Sequence, residues 1–266
     1  MTHGCIDGYS RLVVFLQTGT TNVAKGVLNL FAQACTTFGL PARVRCDHGG
    51  ENVDVAIFMT LLRGAERGSV ITGKSVHNQR IERLWKDVAI QVTDFFYALF
   101  YSFEDDGILD IDDDRHLCAL QLVFLPVINA RMNAFRKAWN SHRLRTEGNY
   151  SPEQLWLDGM LQNARSGYTA TAEVFSQTAS LDVRIGDALQ HFNLDLQQFA
   201  GDANAYRQQL SPVSYTVDDG TAEQVRSAID GMTELKVMFQ TAVHMLPRPT
   251  DSAQANASYC PVTLSI

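Results

Sequence analysis

Two carboxylates stand where they could do chemistry together. Asp47 closes the run Ala42-Arg43-Val44-Arg45-Cys46 and opens the glycine turn His48-Gly49-Gly50-Glu51-Asn52, so it sits at the C-terminal end of a short strand. Glu82 lies about one turn into the amphipathic stretch that starts at His77, and 34 residues lie between the two acids. One carboxylate at a strand end and one on a helix that can pack across it suit hard divalent cations, which take oxygen ligands. A two-metal site of that kind activates water or a 3′-hydroxyl and stabilises the leaving oxygen of a phosphodiester.

The neighbours of the pair leave two readings open at most positions. Lys86, four residues after Glu82, can contact a phosphate or form an i, i+4 ion pair with Glu82 worth a few tenths of a kcal/mol. Lys74, Arg80 and Arg83 cluster on the same approach and favour a phosphate-facing patch. Asn78 and Gln79 suit hydrogen bonds to DNA and equally suit the first turn of a helix. His48 and His77 flank the acids as proton carriers or as turn and cap residues. Arg143 and Arg145 either touch DNA or decorate a loop. Neither Gly49-Gly50 nor Gly73-Lys74-Ser75 has the spacing of a phosphate loop. Asp110-x-Asp112-x-Asp114 fails as a calcium loop, because Arg115 and Gln121 stand where glycine and glutamate are needed.

The elements that position these residues follow from turn signals and apolar period. Residues 3–17 read as a hairpin turning at Asp7-Gly8, and Thr20 or Thr21 caps a helix that stops at Gly39 and Pro41. The Ala42–Cys46 strand follows, then a helix over Val53–Leu62 and the short strand Ser69–Thr72. From His77 to Tyr101 apolar residues recur every three to four positions and mark a long buried stripe. Glu104 to Asp114 is an acidic solvated loop. A helix from Leu117 to Trp139, kinked at Pro126, and another capped by Ser151 with Pro152 and Gln154 complete this part. Helices over Ala172–Ala200 and Thr221–Val243 and a mobile tail from Pro247 follow, with no chemistry of their own. Alternating strands and helices indicate an α/β architecture with parallel strands.

Composition bounds the rest. At 266 residues and 45% hydrophobic content the chain buries a sizeable core. It has no run of about 18 apolar residues, since Leu117–Ile128 is broken by Gln121 and Pro126. The first residues lack a signal-peptide layout, so an intracellular protein with no membrane role is expected. Five scattered cysteines without a C-x-x-C pair read as reduced thiols. The net charge is −7, yet residues 1–100 carry 10 Lys/Arg against 8 Asp/Glu while residues 157–266 carry 6 against 12, so any polyanion contact belongs to the first hundred residues.

Four motifs in order carry a family resemblance: Ile6-Asp7-Gly8-Tyr9-Ser10-Arg11, Cys46-Asp47-His48-Gly49-Gly50-Glu51-Asn52, His77-Asn78-Gln79-Arg80-Ile81-Glu82-Arg83-Leu84-Trp85, and Trp139-Asn140-Ser141-His142-Arg143-Leu144-Arg145-Thr146 up to Ser151-Pro152-Glu153-Gln154-Leu155-Trp156. Over about residues 1–157 the chain resembles the integrase core domain of retroviral-type integrases and DDE transposases, and looks closest to transposon-derived integrase-like proteins of animal genomes. The resemblance implies an RNase H-like mixed sheet flanked by helices, strand transfer on DNA, a two-metal Mg²⁺ or Mn²⁺ site, a homo-oligomer and a nuclear location. It matches Asp47 to the family's second acid and Glu82 to its third. It places Asp7 at the hairpin turn rather than on the first strand. The chain is therefore expected to begin inside the second strand, without the strand that carries the first acid, and to be catalytically incomplete. The expected organisation is a truncated RNase H-like core over residues 1–103, an acidic loop and core helices over 104–165, a helical extension over 166–246 and a disordered tail over 247–266. Two other functions stand beside this one: a non-catalytic transposon-derived interaction protein, and an RNase H-like nuclease.

Overall fold

A strand pair opens the chain. β1 (Thr2–Ile6) and β2 (Val13–Thr18) run antiparallel, with Thr2 opposite Thr18 and a register slip between Cys5 and Ile6. The computed structural model describes residues 1–20, 22–74, 78–164, 170–171, 174, 180–194, 215 and 217–247. His77 and residues 248–266, the bulk of the expected tail, lie outside the described residues.

After the hairpin, α1 (Ala24–Phe38) ends at Gly39, whose φ of +88° suits glycine. β3 (Val44–Cys46) and β4 (Val70–Thr72) then pair in parallel around α2 (Val53–Arg63), with Val44 opposite Val70. α3 (Gln79–Val88) passes through one π-helical turn (Ala89–Thr93) into α4 (Asp94–Asp105). The long stripe expected from His77 to Tyr101 is thus one helical rod with a widened turn.

α5 (Asp114–Ser141) carries Pro126 inside it, and α6 (Pro152–Asn163) starts with the expected capping box between Ser151 and Gln154. α7 (Ser180–Gln190), α8 (Asp219–Ile229) and α9 (Leu235–Met245) follow. The single helix expected over Thr221–Val243 is two helices, because the chain breaks at Asp230 and Gly231, the latter with φ +78°. The acidic stretch before α5 ends in a cap: Asp113 accepts from Arg115 N at 2.8 Å and pairs with the Arg115 guanidinium at 2.6 Å, which holds its carboxyl below the usual range.

The strands do not join. The described residues form two separate two-stranded sheets, β1–β2 and β3–β4, where one mixed sheet was expected. The outer edge of β2 explains its half of the split. Asn129 Nδ2 donates to Thr18 O (2.9 Å) while its Oδ1 accepts from Thr18 N (2.8 Å), and Asn140 does the same at Val13 (3.0 and 2.8 Å). Arg136 donates to Val14 O and Trp139 Nε1 to Arg11 O. Side chains of α5 therefore satisfy the edge a further strand would pair with. On the other side, Met1 and Gly19 exchange both backbone bonds at 2.7 Å, so antiparallel alternation directs the main-chain groups of Thr2 and Gly4 away from β2, and no described strand meets them.

Two apolar cores flank the strands. In the first, Val13 and Leu16 of β2 pack with Leu84, Val88, Phe96, Phe124 and Met132 of the rod and α5, joined by Val225 and Phe239 of α8 and α9. In the second, α1, α2 and α7 bury Leu28, Phe31, Phe58 and Ile185, with Phe15, Val44 and Val70 packed against them. Both strand pairs therefore share the α1–α2 side, and the C-terminal helices are part of both cores. Among the described residues α5 is the one helix long and apolar enough to cross a membrane. Its Leu122, Val123, Phe124 and Met132 pack in the first core at 6% exposure or less.

The four described cysteines carry no disulfide, as free thiols were expected. Burial pushes the Cys5 thiol up to about 12, with Asp7 adding to it, and raises Cys35 as well.

Candidate active site

β3 delivers Asp47 out of the parallel pair into a bend. There its Oδ1 accepts from Gly49 N at 3.2 Å and from Asn52 Nδ2 at 2.8 Å, which fixes the carboxylate. Asp47 Oδ2 has no hydrogen-bond partner among the described residues and keeps its lone pairs for a ligand.

Glu51 adds a second carboxylate at this strand end. Its side chain folds over Gly49 and accepts from Asn22 Nδ2 at 3.3 Å. The Cys46 thiol is raised first by burial and then by the negative charges of Asp47 and Glu51. In the sequence Glu51 is marked only by its position four residues after Asp47, past a Gly-Gly turn.

Glu82 sits in the first turn of α3 and is exposed. Its backbone N–H donates to Asn78 O at 3.1 Å, and its carboxylate has no partner among the described residues. The Glu82–Lys86 ion pair therefore does not form, and Lys86 stays exposed. Asn78 is the N-cap residue of α3 but makes no side-chain capping bond, so its amide also remains available. Lys74 is exposed just beyond β4, and His48 is exposed beside Asp47.

Helix geometry divides the expected contacts into two sets. Asn78, Glu82 and Lys86 recur every four residues on one face. Arg80 and Arg83 lie on another, where Arg80 donates to Tyr9 O (3.1 Å) and Arg83 pairs with Asp87 (3.4 Å). They face a cavity lined also by the hairpin and the end of α5.

Asp7 stands at the hairpin turn. Its Oδ2 accepts from Tyr9 N (3.1 Å), Ser10 N (2.7 Å) and Ser10 Oγ (2.7 Å), which closes the turn and uses up that oxygen. The described residues contain no group of three or more His, Cys, Asp and Glu placed to hold a metal ion. The donor chemistry of Asp47 and Glu82 fits a hard cation, but as a partial set.

The fold is a helix-rich α/β core with an aspartate at the end of a strand and a glutamate on the helical rod that follows. Residues 1–170 match the family described as Integrase core domain, and the chain belongs to that family. No curated protein sequence and no solved structure matches the chain. Membership carries integrase or transposase function and DNA binding in general, and integrase core domains generally use divalent metals.

Proposed function

We propose that the chain is a DDE-type integrase/transposase core in which Asp47 and Glu82 are two of the metal-holding acids. The observation that carries this reading is the pair itself: two carboxylates with unengaged oxygens, on the elements the family motifs occupy. A bound Mg²⁺ or Mn²⁺ would supply Lewis-acid stabilisation of a phosphodiester oxygen. The chain's own residues do the positioning. Gly49 and Asn52 hold Asp47 by one oxygen and turn the other outward, while Asn78 and Lys86 flank Glu82 with a neutral amide and a cation suited to phosphate oxygens. Lys74, exposed just beyond β4, is a further cation for the phosphate backbone in this reading.

Asp47 and Glu82 alone make an incomplete two-metal site, so the chain by itself binds DNA and metal without joining strands. The unjoined sheets and the absence of a three-acid group among the described residues favour, as the second reading, a non-catalytic interaction protein that retains the fold. In either case the integrase motifs lie within residues 1–165, the helices beyond them complete both apolar cores, and we place the protein as a homo-oligomer on DNA in the nucleus.

Fluorescence anisotropy with a short labelled duplex tests the first reading. Mg²⁺ is expected to tighten binding several-fold, and Asp47→Asn with Glu82→Gln is expected to remove that increment while metal-free binding persists. Identical metal dependence in the double variant would sink the assignment. In the same reactions no joined product is expected, and joining that disappears in Asp7→Asn would make Asp7 the third ligand.

A further inference from the structure

A cavity of about 390 Å³ lies between the hairpin turn, α3 and the C-terminal end of α5, on a different face of α3 from Glu82. That volume falls in the roughly 300–1,000 Å³ range of small-ligand sites. Arg11, Gln79, Arg80, Arg83, Trp139 and His142 line it.

Its charge is opposite to that of the chain. Three guanidiniums meet one lining carboxylate, Asp87, in a protein of net charge −7. Arg11 pairs with Glu147 just outside, and Arg83 with Asp87. Arg80 has no acidic partner among the described residues and spends one donor on Tyr9 O. A guanidinium has five donors, so each arginine keeps some free for an anion.

The aromatic wall is fixed in place. Trp139 stacks on Phe135 with ring centroids 5.9 Å apart, lies 5.0 Å from the His142 ring, and is pinned by its indole N–H to Arg11 O at 3.0 Å. Arg11 itself has φ +64°, one of three non-glycine residues with positive φ among those described, and the other two are asparagines, which tolerate that region. Its main chain is held there by Arg11 N–H to Asp7 O (3.1 Å) and by the Trp139 bond. Strain in a residue whose side chain lines a cationic cavity is the kind of outlier found at binding sites.

We propose that this cavity binds one nucleotide of a single-stranded, 5′-phosphorylated DNA end, with the phosphate on Arg80 and Arg83 and the base against Trp139 and His142. Guanidiniums beside an aromatic platform are how single strands are held without sequence readout. The proposal rests on the reading of the chain as a DNA-binding protein only for choosing a nucleotide over another phosphorylated ligand, and it needs no metal.

The full chain, in EDTA, is titrated into a 3′-labelled thymidine trinucleotide with a 5′-phosphate, followed by anisotropy. Binding is expected to weaken about tenfold in Arg80→Ala with Arg83→Ala. It is expected to hold in Lys25→Ala with Arg43→Ala, which removes the same charge from exposed positions elsewhere. Equal loss in both double variants would overturn the site in favour of general electrostatics, and no loss in either would overturn it outright. Equal affinity for the trinucleotide lacking its 5′-phosphate, or competition by inorganic phosphate as potent as by the trinucleotide, would overturn the nucleotide assignment. Because metal is absent throughout, failure here leaves the Asp47–Glu82 reading untouched, and failure of that reading leaves this one standing.

Discussion

Phe124→Ala is expected to lower the unfolding free energy by about 3–5 kcal/mol, the usual cost of removing a large aromatic side chain from a packed core. Phe124 is 0% exposed and sits at the meeting point of four other rings. Its centroid lies 6.5, 4.9, 6.0 and 6.3 Å from those of Phe96, Phe100, Phe103 and Phe239. These partners come from α4 and from α9, far apart in sequence, so the space left behind cannot be refilled by shifting one element. Typical domains have only about 5–15 kcal/mol of stability in all. Urea denaturation should show a lower midpoint at an unchanged slope. A cost under about 1 kcal/mol would mean that α4, α5 and α9 do not share this core.

Asn140→Ala is expected to cost about 2–6 kcal/mol by a different route. Asn140 is 6% exposed and satisfies both backbone groups of Val13, which is itself fully buried. Alanine strands a buried N–H and a buried C=O, each costing about 1–3 kcal/mol. Asn129→Ala breaks the equivalent pair at Thr18, where water has partial access, and should cost less. Hydrogen exchange at Val13 separates this from simple loss of packing: its amide should exchange faster in Asn140→Ala relative to the other β2 amides. Equal destabilisation by the two substitutions would contradict the distinction between a buried and a half-exposed edge.

Much of the local structure was legible in the residues. Asp7-Gly8 marked the hairpin turn, Gly39 the end of α1, and Ser151-Pro152-Glu153-Gln154 the start of α6, because each rests on backbone chemistry confined to a few positions. The strand layer was less legible. Whether the β1–β2 pair joins the β3–β4 pair is a non-local property, and nothing in these short strands declares which edge stays open. The α5 amides that close β2 left a trace, since Asn129 and Asn140 interrupt an apolar stripe three helical turns apart, but their partners are more than a hundred residues upstream. At the proposed site, the elements that carry Asp47 and Glu82, a strand end and the first turn of a long helix, were legible from turn signals and apolar period. The division of the α3 polar residues into an Asn78–Glu82–Lys86 face and an Arg80–Arg83 face was available from helical period alone. Recognising what the second face meets needed Arg11, Trp139 and His142 brought in from two other elements.

In the proposed site Asp47 and Glu82 act on one cation. Nuclear magnetic resonance of the labelled protein titrated with Mn²⁺ tests it most directly, because the paramagnetic ion broadens only nearby amides. Selective loss of signals from the Asp47–Asn52 turn and from the first turn of α3, abolished in Asp47→Asn with Glu82→Gln, is the result predicted. Broadening confined to one of the two segments, or centred on the acidic stretch from Glu104 to Asp114, would contradict it.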